Sequence, residues 1–223
     1  MNLYKNTIIL IPVYNEGKKI GSVIRNVINE GWKNVIVIDD GSTDDTSSVA
    51  KSEGAYVIRH LLNRGKGASI KTGLEVVSKL QADVVVTIDG DGQHNPKDIA
   101  KLVKYIHSGY DVVLGIRNYK LIPWYKAVFN ILGNIATWVM FSLFVKDSQS
   151  GFRAYNSHAL NVIKTNNDRY EYDTEVIREI AIHNLKWLEV SIDVNYTSYD
   201  QQKRNKQSVY NAMKTFIKLL FFD

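Results

Sequence analysis

The chain has 223 residues, 45% of them hydrophobic and 23% charged, with 28 basic against 23 acidic side chains and no cysteine. That balance supports one folded domain with a real core and excludes a disordered chain, while the absence of cysteine excludes disulfide frameworks, thiolate metal sites and cysteine nucleophiles and suits a reducing compartment. The formal charge of +5 carries no run of Lys and Arg, so phosphate groups or an anionic membrane surface are open as partners and nucleic acid is not expected.

The start does not read as a secretion signal, because its first apolar run, residues 8–11, is short and is cut by Pro12. A cytoplasmic location is therefore expected. The pattern then alternates. A strand over residues 7–11 precedes a helix over 17–32, where Ile20, Val23, Ile24, Val27 and Ile28 recur at the helical period. A strand over 35–38 ends in Asp39 and Asp40, and Asp44, Asp45 and Thr46 offer caps for a short helix reaching Ala50. A strand over 55–58, a helix over 66–80 and a nearly continuous apolar strand over 84–88 follow, the last suited to a sheet covered on both faces. Asn95 as cap and Pro96 at the first helical position open another helix, and residues 111–114 make a further strand. The expected fold is α/β, a mainly parallel Rossmann-like sheet flanked by helices. In such sheets ligands bind beyond the carboxyl ends of the strands.

The second half is less regular. Residues 127–145 are almost wholly apolar, broken by Asn130, Gly133, Asn134, Thr137 and Ser142 and flanked by Lys126 and Lys146. Those interruptions fit an interfacial or acceptor-lining helix better than a membrane span, with a buried core helix as the other reading. A helix over 174–184, an alternating strand over 187–194 and an amphipathic C-terminal helix over 208–222 complete the pattern. No repeat or linker divides the chain, so residues 1–223 read as one domain. The two apolar segments could be covered by lipid or by self-association into a homo-oligomer.

Three polar clusters follow strands: Pro12-Val13-Tyr14-Asn15-Glu16, Asp39-Asp40-Gly41-Ser42-Thr43-Asp44, and Asp89-Gly90-Asp91-Gly92-Gln93-His94. An Asp-x-Asp pair alone is most simply a turn. Behind a buried strand, however, the oxygens of Asp89, Asp91 and Gln93 match what Mg²⁺ or Mn²⁺ takes, and such ions complete their shell with substrate phosphates. A nucleotide diphosphate is the natural partner. The glycines from Gly65 onward complete neither a dinucleotide fingerprint nor a P-loop, since Ile70 stands where each needs glycine, but Lys66 is a cation suited to a diphosphate.

Together with Gly115-Ile116-Arg117 and the run from Asp147 to Arg153, these clusters resemble, in order and spacing over residues 7–208, the family 2 glycosyltransferases of the dolichol-phosphate mannose synthase type. The resemblance implies a GT-A fold in which Pro12, Tyr14, Glu16, Asp39 and Asp40 hold the nucleoside, Lys66 adds charge at the diphosphate, and Asp89, Asp91 and Gln93 bind the metal. It implies catalytic roles for Asp91 and for Arg117, which would turn toward the acceptor phosphate; the family's two further basic elements there are met in this chain only by Lys126 and by Lys203 or Arg204. Arg153 is expected to brace the site, with Asp147 as its partner. The expected reaction is inverting transfer of a hexosyl group from GDP-mannose or a UDP-hexose to a polyprenyl (dolichyl) phosphate, by an enzyme peripherally bound at the cytoplasmic membrane face. An ionised phosphate needs no general base. The rival is a family 2 enzyme acting on a sugar hydroxyl, which does need one; Asp147, Asp173 and Glu175 are the candidates. A non-catalytic nucleotide-sugar-binding relative is the remaining alternative.

Overall fold

A computed structural model describes residues 6–117, 143–165 and 171–195. The C-terminal helix expected over 208–222, the cations Lys126 and Arg204, and all of the apolar segment except residues 143–145 lie outside the described residues.

In chain order the elements are β1 (Thr7–Val13), α1 (Gly17–Asn29), β2 (Val35–Asp39), α2 (Thr46–Ser52), β3 (Tyr56–Arg59), α3 (Lys66–Lys79), β4 (Val84–Thr87), α4 (Asp98–His107), β5 (Val112–Arg117), β6 (Arg153–Asn156), α5 (Ser157–Val162), α6 (Glu171–Ile182) and β7 (Trp187–Ile192). The strands form one sheet in the order β3-β2-β1-β4-β6-β5-β7. The strands from β1 to β4 pair in parallel, as do β5 and β7, and β6 runs antiparallel between β4 and β5.

The Ile- and Val-rich strands are buried because both faces of the sheet are covered. Along β1 the side chains alternate between two cores: Ile9, Ile11 and Val13 pack with Ile20, Val23 and Ile24 of α1 and Leu102 of α4. Ile8 and Leu10 join Ile70 and Val77 of α3 and Val176, Ile177 and Ile180 of α6 on the other side. The strand therefore reads as a continuous apolar run, although each face sees only alternate residues.

The strands and helices expected along the first half are present, with shifts at their ends. β1 continues through Pro12 to Val13, which is tolerated because its pairing with β4 stops at Leu10, so no ladder bond is lost to the missing proline N–H. α4 starts at Asp98 rather than at Pro96, since the Asn95 side chain accepts from the N–H of Lys97 (3.1 Å) and forms a turn ahead of the helix. The antiparallel strand β6 and the short helix α5 were not expected. Four residues reading Arg-Ala-Tyr-Asn carry no strand period, and it is pairing with both neighbours that makes β6 a strand.

β6 brings the chain across the sheet so tightly that one glycine is obligatory. The N–H of Gly115 in β5 donates to the Phe152 carbonyl at 2.8 Å, and a Cβ on Gly115 would lie 2.8 Å from that same oxygen. Backbone cannot step aside as a flexible side chain can. Gly115→Ala should lower stability by about 1–3 kcal/mol, the usual range for overpacking, and so lower Tm by several degrees in a thermal melt. An unchanged Tm would mean that the 151–153 segment is not packed against β5 as described.

Candidate active site

The loops after β1 and β2 are laced together by the polar residues of their own motifs. Asn15, at φ 54°, accepts from the N–H of Thr43 through its side-chain oxygen (2.8 Å), and its own N–H donates to Ser42 Oγ (2.9 Å). The N–H groups of Glu16 and Gly17 donate to Thr46 Oγ1 (2.9 Å) and Asp44 Oδ2 (3.1 Å). Burial pushes the Asp44 carboxyl up, but the hydrogen bonds from Thr46 and Gly17 outweigh it and hold its pKa below the ordinary value.

Asp39 is fully buried; it accepts from the N–H of Ser42 (2.8 Å) and from Ser47 Oγ, with the Arg59 guanidinium 3.7 Å away. Asp40 gathers the next loop. Its carboxylate meets His60 Nδ1 at 2.8 Å and accepts from the N–H groups of Arg64 (3.0 Å) and Gly65 (2.7 Å), while His60 Nε2 reaches Thr72 Oγ1 on α3 at 3.0 Å. Of the residues expected to hold the nucleoside, Pro12, Asp39 and Asp40 are thus buried beneath the surface, Glu16 is half-buried and Tyr14 is 44% exposed.

The turn after β4 carries Asp89, Asp91 and Gln93. Asp91 Oδ1 accepts from the N–H of Gln93 (3.0 Å), and Gln93, itself buried, accepts from the N–H of Asn195 through its carbonyl (2.8 Å). His94 stacks at a tilt on Phe152 with ring centroids 5.2 Å apart and bridges to Val194, so residues 193–195 clamp the turn from the far end of the chain. Burial pushes the His94 pKa below the usual histidine value against the pull of Asp89 and Asp91, which keeps the ring neutral.

Lys66, the first residue of α3, places Nζ 2.7 Å from Asp89 Oδ1. Burial acts to lower its pKa, but the charges of Asp89 and Asp173 prevail and raise it, so the ammonium stays charged. Gly151 roofs this pair: a Cβ there would lie 2.5 Å from Lys66 Nζ and 2.6 Å from Asp89 Oδ1. The set fits a hard divalent ion on chemical grounds, because two carboxylates stand on one turn and one of them, Asp89, faces a cradle that only glycine leaves open. No cluster of three or more His, Cys, Asp or Glu among the described residues could hold a metal by itself. An ion here would need oxygens from its substrate.

Arg117 closes β5 and is held by Asp147: Nε donates to Oδ2 and Nη2 to Oδ1, each at 2.7 Å. The expected partner of Arg153 is therefore wrong. Asp147 is already engaged, and Arg153, on the antiparallel strand, turns inward to donate Nε to the Ser150 carbonyl (2.8 Å) and Nη2 to the Ser148 carbonyl (2.7 Å), pairing with Asp173 at 2.9 Å. Its role as a brace stands, since it is 2% exposed and ties the 148–150 backbone to α6. Burial raises the Asp173 pKa although Arg153 and Lys66 pull the other way. Glu175 is also buried, at 8% exposure.

Sequence reasoning read Ser42 only as part of a motif and Thr46 only as a helix cap, and gave no role to His60, Glu189 or Asn195. The first three lie in or near the motifs but act on backbone or on other side chains. Glu189 and Asn195 are far away in the chain and are brought in only by β7 pairing with β5.

Residues 8–171 match the family model for glycosyl transferase family 2. An uncharacterized protein of Methanocaldococcus jannaschii is 40% identical over 95% of this chain and 90% of its own length. The UDP-N-acetylglucosamine–dolichyl-phosphate N-acetylglucosaminyltransferase of Methanococcus voltae is 33% identical over 95% of this chain and 94% of its own. Among solved structures, glucosyl-3-phosphoglycerate synthase from Mycobacterium tuberculosis in complex with UDP superposes with a TM-score of 0.69 at 19% identity, covering 98% of this chain and 82% of that one. The fold is that of the GT-A glycosyltransferases, and the chain belongs to glycosyl transferase family 2.

Proposed function

We propose that this glycosyltransferase moves a hexosyl group, with inversion, from a nucleotide-diphosphate sugar to a polyprenyl phosphate of the dolichyl type at the cytoplasmic face of a membrane. The observation that carries the acceptor is the state of the candidate bases. Asp147 is held by Arg117, Asp173 by Arg153, and Glu175 is buried at 8% exposure, which disfavours all three as the base for a sugar hydroxyl. A phosphate acceptor arrives ionised and needs positioning by cations. The relatives support the same class: besides the Methanococcus voltae enzyme, they include a polyprenol monophosphomannose synthase of Mycolicibacterium smegmatis at 25% identity over 71% of this chain. No helix among the described residues is long and apolar enough to cross a membrane.

In this reading Tyr14 and Glu16 face the nucleoside while Asp39 and Asp40 shape the loops around it. Asp89 and Asp91, with Gln93 beside them, would hold Mg²⁺ or Mn²⁺, which when bound neutralises charge on the leaving diphosphate. Lys66 exchanges part of its contact with Asp89 for the diphosphate. Arg117 meets the acceptor phosphate, and Lys126 and Arg204 are the further cations proposed for it. The donor we favour is a UDP-linked sugar, as the name of the full-length 33%-identical relative states for that protein. The alternative donor is GDP-mannose.

The test is transfer of radiolabelled sugar from UDP-N-acetylglucosamine, UDP-glucose or GDP-mannose to vesicles carrying polyprenyl phosphate. One donor should label the lipid in the presence of Mn²⁺ or Mg²⁺, and Asp91→Ala should reduce the rate by at least about 10²-fold, the scale of losing one electrostatic stabiliser. Label appearing only on added sugar hydroxyls would overturn the acceptor.

A second outcome separates brace from base. Asp173→Asn leaves the buried Arg153 without its counter-charge, which should cost about 3 kcal/mol and lower Tm, while the folded fraction keeps the wild-type pH–rate profile. Loss of the acidic limb of that profile would make Asp173 a base after all.

A further inference from the structure

Three candidates stand out beyond the roles already given: the exposed leucines Leu61 and Leu62 at the tip of the loop after β3, the half-buried His60 between Asp40 and Thr72, and the Arg117–Asp147 pair. Nothing in the structure says what covers the leucines, and His60 is fully accounted for as a link between the Asp40 loop and α3. The arginine pair goes further.

We propose that Asp147 is a positioning residue: it holds the Arg117 guanidinium in one plane and one direction at the end of β5, so that the arginine meets the acceptor phosphate already oriented. This rests on the proposed transfer to polyprenyl phosphate. The geometry is fork to fork. Nε and Nη2 of Arg117 each lie 2.7 Å from one oxygen of Asp147, and the backbone N–H of Arg117 donates to Oδ2 at 3.1 Å, so the same carboxylate grips both ends of the residue. Two parallel bonds fix the guanidinium plane, which one bond or a point charge would leave free to turn.

The pair is asymmetric, and the asymmetry points outward. The Asp147 side chain is 0% exposed and that of Arg117 is 19% exposed, so the acid is enclosed while the base reaches the surface, near enough to the turn after β4 for its charge to act on His94. Asp147 is anchored in turn. Glu189 on β7, in register with Leu114 of β5, accepts from the N–H groups of Lys146 and Asp147. The carboxyl of Glu189 is pushed up by burial, and those two N–H groups act against the shift. A chain of contacts thus runs from β7 through Glu189 to residues 146–147, then to Asp147 and to Arg117. The chain starts on β7 and ends on β5, two paired strands of the sheet, which is the rigid support a catalytic cation needs.

The same geometry argues against Asp147 as a general base. A carboxylate that already accepts three hydrogen bonds from one cationic residue is a poor proton acceptor, and its oxygens face Arg117. Replacing it by asparagine keeps the size but turns an N–H₂ group toward one of the arginine donors. The plane of Arg117 would be lost while its charge remains.

The experiment is a double-mutant cycle on the full chain, using the donor and vesicles that support wild-type turnover. Asp147→Asn should lower kcat on the order of 10²-fold, as expected for a misdirected reacting group, with little change in KM for the nucleotide sugar. Arg117→Ala combined with Asp147→Asn should be no worse than Arg117→Ala alone, and the residual activity of Asp147→Asn should keep the wild-type pH–rate profile. Losses that multiply, or an acidic limb that disappears, would overturn the positioning role.

Should Asp147→Asn fail to fold, Arg117→Lys gives the second reading. Lysine keeps the charge without the fork, so it should be nearly as deficient as Arg117→Ala; activity close to wild type would refute the need for orientation. If the wild-type enzyme labels a sugar hydroxyl instead of the lipid, the proposed acceptor fails, while the same cycle run on that acceptor still decides whether Asp147 acts through Arg117.

Discussion

Asp39, Asp40, Asp147 and Asp173 are all buried near the substrate end of the sheet, where a carboxylate without partners costs several kcal/mol. Each draws its partners from a different stretch of chain: Ser42 and Ser47 for Asp39, the 60–65 loop for Asp40, Arg117 for Asp147, and Arg153 for Asp173. The demand of these four acids for donors ties those stretches together, and the cleft takes its shape from how that demand is met.

This division of labour separates carboxylates that build from carboxylates that react. Asp89 and Asp91 stand on the turn after β4, and Lys66 meets Asp89 in a space that Gly151 keeps open. The buried acids are instead engaged by arginine, His60, a serine hydroxyl or backbone N–H groups. In the proposed reading the cleft then presents to its substrates two carboxylates for a metal and the cations Lys66 and Arg117, the complement of a diphosphate leaving from one side and a phosphate arriving from the other.

Much of this was legible in the sequence because strand ends and motifs coincide. The apolar runs ending at Val13, Asp39 and Thr87 mark three parallel strands, and the polar residues just beyond them mark the cleft. What those polar residues do there was less legible. Asn15, Ser42, Thr43, Asp44 and Thr46 look like ligand-binding side chains by composition, yet they cross-link two loops, since a hydroxyl or amide serves a backbone N–H as readily as a ligand. The partner of Arg153 was misjudged for a related reason: only the antiparallel direction of β6 decides that it faces Asp173, and four residues of mixed character do not announce their direction. Glu189 and Asn195 could be found only through the pairing of β7.

The central claim is that the edge of the sheet formed by Asp89, Asp91 and Lys66 binds a nucleotide diphosphate through a divalent ion. Calorimetric titration of the protein with UDP and with GDP, each with and without Mn²⁺, tests this before any acceptor is known. The account predicts binding of one nucleotide that requires the metal and disappears in Asp91→Ala. Equal affinity with and without Mn²⁺, or unchanged affinity in Asp91→Ala, would contradict it.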